Sequence, residues 1–260
     1  MINHPHITKI RKYIGIILFL FSPAAVFATS GQSYLGLSAG ATWGMLAANN
    51  PKVVYDSGLV TDSYPLKNQS STTAVVGANG GYEFTVADER MAIALGVGAY
   101  TTPGHYTYRG SVSEAVTGFG TTTLYNYKFT VASTRVMAEA QLTWLCYKLA
   151  PFINLGLGSA WNYFSHYTET PATSTGFVAL PPFKSHTTKT FAYQVGLGVA
   201  YTFNFLDQPT IVKHERLSVG YRLVGLGDVS SATRGSVYPY TISFGTLTSN
   251  EVYVSYTHLF

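Results

Sequence analysis

The sequence predicts an all-β fold: an antiparallel up-and-down transmembrane β-barrel of eight strands, with short turns at one end and long loops at the other. Three observations predict it. Apolar residues recur with period two over at least eight segments, so that each strand has one apolar and one contrasting face. The contrasting face is Gly, Ala, Ser, Thr and Asn rather than the Lys and Glu that a water-facing sheet carries. Bulky aromatics gather near the strand ends on the apolar face, as in a wall crossing two lipid–water boundaries.

The composition agrees. In 260 residues, charged side chains make up 11%, against about 25% in ordinary globular proteins, while aromatics reach 15% and hydrophobic residues 47%. That apolar content excludes a disordered chain. The single cysteine, Cys146, excludes an internal disulfide framework and any multi-cysteine metal centre.

The elements follow in order. Residues 33–43 put Leu35, Leu37, Ala39, Ala41 and Trp43 on the apolar face. Residues 73–84 place Ala74, Val76, Ala78, Tyr82 and Phe84 there, and residues 92–101 place Ile93, Leu95, Val97 and Ala99. The fourth strand, 131–144, is clearest in its second half, where Val136, Ala138, Ala140, Leu142 and Trp144 oppose Arg135, Met137, Glu139, Gln141 and Thr143. Segments 152–164, 190–203, 215–224 and 251–260 continue the pattern. Every charge in these strands is expected on the second face. The links 86–91, 145–151 and 204–214 are short or moderate; 44–72, 102–130, 165–189 and 225–250 are longer and rich in Gly, Ser, Thr and Pro.

The first 28 residues read differently. Lys9, Arg11 and Lys12 precede the apolar run 13–21, which leads to Ser22-Pro23-Ala24-Ala25-Val26-Phe27-Ala28. A basic region, a short apolar run and small residues at a cleavage site make a secretory leader; the run falls short of the roughly 20 residues of a spanning helix. Residues 1–28 are thus expected to be cleaved on export, leaving one barrel domain, 29–260. Removing three basic residues lowers the formal charge of +4 to +1, so the basic pI implies no nucleic-acid partner.

The segments Tyr34-Leu35-Gly36-Leu37, Gly80-Gly81-Tyr82-Glu83-Phe84, Pro151-Phe152-Ile153-Asn154-Leu155-Gly156-Leu157-Gly158 and Val219-Gly220-Tyr221-Arg222, with the ending Tyr256-Thr257-His258-Leu259-Phe260, resemble the small eight-stranded outer-membrane β-barrel family of OmpA/OmpX-type and opacity-like proteins. The resemblance spans the whole mature chain. It implies the bacterial outer membrane, periplasmic turns and extracellular loops. It also implies a last strand, with Tyr256 and Phe260, that the barrel-assembly machinery reads.

Eight strands leave an interior about wide enough for side chains to fill. Most of the inward charges Glu83, Arg135, Glu139, Arg216, Arg222 and Glu251 are expected to pair across the lumen and plug it, with a gate or narrow solute path as the alternative use. Trp43, Trp144, Trp161, Tyr201 and Phe203 are the expected aromatic girdles. Catalytic, cofactor and metal sites are not expected. The Gly-x-Gly pairs at 96/98, 156/158 and 196/198 lie mid-strand, not at a strand-to-helix turn, and Ser255 and His258, three apart, face opposite sides of a strand. His105, His166 and His186 could meet at the loop rim, but solvated loop histidines are the ordinary reading. Asn68-Gln69-Ser70 matches a glycosylation sequon, a common chance match.

Tyr55, Tyr64, Tyr106, Tyr108, Phe119, Tyr167, Phe177, Phe183, Tyr238 and Tyr240 offer loop contact points suited to recognition, or else extend the sheet above the membrane. The reading is a non-enzymatic outer-membrane protein, structural and adhesin-like. Its expected partners are outer-membrane lipid and lipopolysaccharide, the assembly machinery and a host or environmental ligand, with a monomer expected. A narrow channel, a lipid-modifying enzyme and a soluble lipocalin-like calyx are the rivals.

Overall fold

Alternating side chains with no polar outer face can be stable only if the sheet closes, because an open edge leaves backbone groups unpaired where water is absent. In a computed structural model, which describes residues 30–55, 60–86, 90–116, 118, 120–145, 148–172, 183–203, 215–233 and 241–260, closure is complete. In chain order the strands are β1 (Ser30–Ala48), β2 (Lys52–Tyr55), β3 (Val60–Ser63), β4 (Leu66–Asn68), β5 (Ser70–Val86), β6 (Met91–Thr101), β7 (Tyr106–Val116), β8 (Gly120–Trp144), β9 (Leu149–Pro171), β10 (Phe183–Lys184), β11 (His186–Phe203), β12 (Glu215–Thr233) and β13 (Thr241–Leu259). Eight of them form the wall as a ring, β1-β5-β6-β8-β9-β11-β12-β13 and back to β1, every pairing antiparallel.

The seam joins the first strand to the last. Leu35 opposes His258 and Leu37 opposes Tyr256, and Phe260 and Ser33 exchange backbone hydrogen bonds of 2.9 and 3.0 Å. Phe260 and Tyr256 both project outward from this seam.

The alternation sorts side chains as expected of a lipid-facing wall. Leu37 and Leu197 are each 61% exposed on the outer surface, with Val97, Leu155, Leu157, Phe191 and Val195 beside them, whereas Gly196 and Arg222 of the opposite parity are buried. A soluble calyx would have reversed these faces. The outward apolar stretches run about nine to eleven residues, the length a tilted strand needs to cross a bilayer. Of the girdle residues, Trp43 and Trp161 lie outward toward the loop end, and Trp144, Tyr201 and Phe203 outward toward the end bearing the termini. Tyr201 stacks on Phe203 with ring centroids 6.1 Å apart.

Two points go beyond the alternating segments. Much of the described part of the long links is stranded: β1, β5, β8, β9, β12 and β13 all continue beyond those segments, and β7 extends the line of β6 along β8. With β2, β3, β4 and β10 they build a stranded crown. Bulges hid these extensions, because each shifts the inward parity by one. Between Gly225 and Gly227 the register of β12 against β13 slips, Gly227 takes a left-handed φ of 74°, and the buried set passes from Arg222 and Val224 to Val229, Ser231 and Thr233. A second slip, opposite Lys128–Thr130 of β8, adds one residue to β9 at His166, whose φ is 51°, and shifts the inward parity of β9 beyond it. Finally, the outer face does carry charge. Glu215 lies there near His258, 3.9 Å away, and Lys189 sits over the Trp161 ring at 5.6 Å.

The leader 1–28 and its cleavage site, Cys146, His214, Phe119, Phe177, Tyr238 and Tyr240 lie outside the described residues. Among the described residues no helix is long and apolar enough to cross a membrane.

Candidate functional site in the lumen and crown

Inward glycines set the shape of the lumen. Tyr100 of β6 lies over Gly77 of β5, and a Cβ on Gly220 of β12 would stand 2.6 Å from the Tyr253 ring of β13. Large rings can lie flat against the wall only where the neighbouring strand has no side chain. Those rings then reach the charges.

Two charged tiers cross the barrel. In the lower tier, nearer the termini, Arg216 donates from both terminal nitrogens to Glu83, at 2.7 and 2.9 Å. In the upper tier Arg135 donates in the same bidentate manner to Glu251, both contacts 2.8 Å, while Arg222 donates to Glu251 through Nε and Ser249 adds a 3.3 Å contact. Arg135 is 2% exposed and Glu251 0%. Both guanidiniums also face aromatic rings: Arg135 lies 4.6 Å from the Tyr100 centroid, and Arg222 lies 4.2 Å from Tyr100 and 4.5 Å from Tyr253. Guanidinium against a ring is attractive, and more so away from water.

Glu139 departs from the expected cross-lumen pairing. It makes no ion pair among the described residues, accepting instead from Tyr100 Oη at 2.7 Å and Gln194 Nε2 at 2.6 Å. Even so, the six inward charges are three Glu and three Arg, so the lumen is formally neutral. Sequence reading had found the charges but missed Tyr100, Gln194, Asn154 and Tyr253, which join them. Asn154 donates to Tyr253 Oη at 3.1 Å. Parity alone would have placed all four inward.

Between the tiers lies a polar cavity of about 50 Å³, lined by residues including Tyr34, Glu139, Asn154 and Arg222. That is room for a few waters, not for a solute of ordinary ligand size. Arg222 Nη2 and Asn154 Oδ1, both buried, have no protein partner and suit such hydration. Below the lower tier a wider recess of about 260 Å³ opens beside Gln32, Thr85, Lys148 and Leu259. Glu83 and Arg216 line both spaces, so their ion pair separates them.

Above the upper tier the interior is apolar. Phe244 packs against Phe129 at 4.8 Å, Phe164 at 5.1 Å and Phe183 at 5.3 Å. Leu46, Val224, Leu226 and Leu247 complete this core. Here the loop aromatics are found. Tyr64, Tyr106, Tyr108 and Phe183 are buried in it, and Tyr167 packs against its edge. They are not exposed contact points, because the crown continues the closed wall upward and these residues lie on its inward face. Tyr106 hydrogen-bonds Thr42 at 2.8 Å, and Tyr127 donates to the carbonyl of Tyr64 at 2.9 Å.

The crown also encloses carboxylates. Burial, then the nearby charge of Glu114, pushes Asp62 up to about 6, against the opposing effect of the Tyr64 hydroxyl. Burial likewise raises Glu169, whose Oε1 accepts from Tyr167 at 2.5 Å.

The remaining candidates disperse. His105 and His166 do meet, with ring centroids 5.8 Å apart, but His186 pairs along β11 with Phe164. Among the described residues no group of three or more His, Cys, Asp or Glu could hold a metal. Asn68 is occupied within the crown: its Oδ1 accepts from Arg109 N at 2.6 Å, and its Nδ2 donates to Thr107 O at 3.2 Å.

No family model matches this chain, and no curated protein matches it. Among solved structures it is similar to Neisserial surface protein A, with 12% identity over 88% of this chain and 97% of that one, TM-score 0.41. It is also similar to the outer membrane protein OprG from Pseudomonas aeruginosa, at 14% identity over 88% and 96% of the two chains, TM-score 0.40. A third is the outer membrane protease OmpT from Escherichia coli, at 9% identity over 88% and 94%, TM-score 0.36. Likenesses this distant say nothing of activity.

Proposed function

We propose that the chain is a non-enzymatic, integral protein of the bacterial outer membrane, exported by its leader and closed by the assembly machinery at the strand ending in Phe260. Its lumen is a structural plug, and its crown is the surface it offers to host or environmental ligands. One observation carries this reading: five of the six inward charges pair with one another and Glu139 is held by Tyr100 and Gln194, beneath a continuous aromatic core, which leaves only about 50 Å³ between the tiers. A conducting barrel would need that space open. Burial of Tyr64, Tyr106, Tyr108 and Phe183 moves the recognition surface to the outer faces and rim of the crown strands.

The test is to refold the mature chain into planar bilayers and into liposomes. The expected result is heat-modifiable gel migration, no stepwise conductance and no swelling in small sugars. Steady single-channel steps would overturn the plug. An altered outer-membrane acyl pattern in a strain lacking the protein, restored by the wild-type chain, would overturn the non-enzymatic reading.

A further inference from the structure

Two histidines meet on the outer face of the crown, one on each side of β8. His105, in the turn from β6 into β7, and His166, in β9, are both exposed. Their ring centroids lie 5.8 Å apart, with the planes at 43°. Between the two strands, Thr130 of β8 has the outward parity and yet is only 8% exposed.

Two local irregularities produce the meeting. Gly104 lies so close to Thr73 of β5 that a Cβ would stand 2.4 Å from Oγ1, so glycine is needed where the chain turns toward His105. On the other side His166 is the extra residue of the β9 bulge. Ser165 and His166 therefore share the outer side while Phe164 and Tyr167 stay with the core. Thr134, four residues below Thr130 on β8, pairs with Trp161 of the loop-end girdle. The histidines thus stand roughly 13 Å of strand above that girdle, where water and ions have access.

Neighbouring hydroxyls fix the His166 ring. Its Nδ1 is 3.1 Å from both Thr130 Oγ1 and Ser165 Oγ. Thr130 donates its own hydroxyl proton to the Ser165 carbonyl at 3.2 Å. Toward the ring Oγ1 therefore accepts, Nδ1 carries the proton, and Nε2 keeps its lone pair. One nitrogen held by an oxygen and the other left to bond is the arrangement that prepares a histidine for a metal.

From this geometry we propose that His105 and His166 form a surface site for a borderline divalent transition ion, Cu²⁺, Ni²⁺ or Zn²⁺, with water in its remaining positions. With metal–nitrogen bonds of about 2.0–2.1 Å, two ligating rings at a tetrahedral angle have centroids roughly 5 Å apart. The pair needs less than an ångström of closure to reach that distance. Imidazole selects these ions over Mg²⁺ and Ca²⁺, which take oxygen ligands. Among the described residues no third His, Cys, Asp or Glu joins the pair, so the site is open and exchangeable, unlike a closed structural zinc centre. A bound ion links the start of β7 to the bulge of β9 across β8 and braces the crown.

The mature chain, made without a histidine tag and refolded in non-ionic detergent, is titrated with Cu²⁺ and followed by calorimetry and electron paramagnetic resonance. One Cu²⁺ should bind in the micromolar range with two nitrogen couplings, and Mg²⁺ should not bind. The variant H186N/H214N/H258N, which leaves the pair as the only histidines of the mature chain, should behave as the wild type. H105N and H166N should each lose one coupling and weaken binding at least about tenfold, since even an outer-shell partner is worth that much. Asparagine suits position 166 because it accepts a left-handed backbone. T130V/S165A should keep both couplings but weaken binding about tenfold or more. Crown amides should exchange more slowly with Cu²⁺ in the wild type and not in H105N. No micromolar binding by the wild type, two couplings persisting in H105N, their loss in H186N/H214N/H258N, or equal uptake of Mg²⁺ would each overturn the proposal. Heat-modifiable migration is scored for every variant; should H166N fail to fold, the wild type, H105N and the triple variant still decide.

Discussion

Glu251→Gln is the most demanding perturbation of the lumen, because it keeps the volume and removes one charge from a closed neutral set. Glu251 accepts from Arg135, Arg222 and Ser249 and is wholly buried. At about 4 Å and an effective dielectric near 20, each guanidinium–carboxylate pair is worth roughly 4 kcal/mol before desolvation. Two such pairs are lost at once, and the lumen becomes singly positive with both guanidiniums still buried. Breaking a buried pair from one side costs about 3–5 kcal/mol net. Glutamine also turns an amide donor toward two donors. The assay is urea unfolding of the chain refolded in lipid vesicles, followed by tryptophan emission and by the heat-modifiable band. The companion variant Arg135→Met/Arg222→Met/Glu251→Leu/Glu139→Gln removes every inward charge except the neutral Arg216–Glu83 pair and should recover most of the loss, since apolar groups of similar volume replace buried ion sets at little cost. Conductance should stay closed in both, because the aromatic core above is untouched. A loss below about 1 kcal/mol for Glu251→Gln, the worth of an ordinary surface pair, would refute the reasoning.

Leu197→Arg, at the middle of the outward face of β11, should cost about 2–4 kcal/mol in vesicles; a cost near zero would mean that Leu197 does not face hydrocarbon. Phe244→Ala opens the centre of the ring cluster formed with Phe129, Phe164 and Phe183 and should destabilise by about 3–5 kcal/mol, read as a lowered urea midpoint. The crown should loosen with rising pH. Asp62 is raised to about 6 and Glu169 is raised with it, so the folded crown holds their protons more tightly than the unfolded one. Stability is then fully present below the ordinary carboxyl range, about 4, and is lost as pH climbs through about 6. Hydrogen exchange of crown amides at pH 4, 5 and 7 measures this, and Asp62→Asn should flatten the dependence.

The membrane wall was legible in the sequence because lipid imposes one rule on every strand. Leu35, Leu37, Val97, Leu155, Leu197 and Val254 must all face out, so their parity, once set, holds for the length of the span. The crown was not legible, and residues 225–233 of β12 show why. At the bulge around Gly227 the inward parity slips by one, and alternation counted from Arg222 predicts the wrong face beyond it. A second slip, at His166 of β9, moves Tyr167 onto the inward parity that counting from Phe164 denies it, whereas β8 keeps one parity from Tyr127 to Thr143. Loop aromatics such as Tyr106 and Phe183 look alike in a sequence whether they greet solvent or close a core. Only the pairing of β7 with β8 and of β10 with β12, which continues the wall above the membrane, distinguishes the two.

By itself the sequence determined a lipid-facing surface, a small-residue interior and the six charges within it, because burial parity is a local property of a strand. Which carboxylate meets which guanidinium was decided by closure of the ring, which brings Arg135 of β8 within 2.8 Å of Glu251 of β13 across the barrel. That distance depends on the register and tilt of all eight strands together. Glu139 shows the difference most plainly: its sign and its face were readable from the chain, but its partners, Tyr100 and Gln194, were set by the geometry of the closed wall.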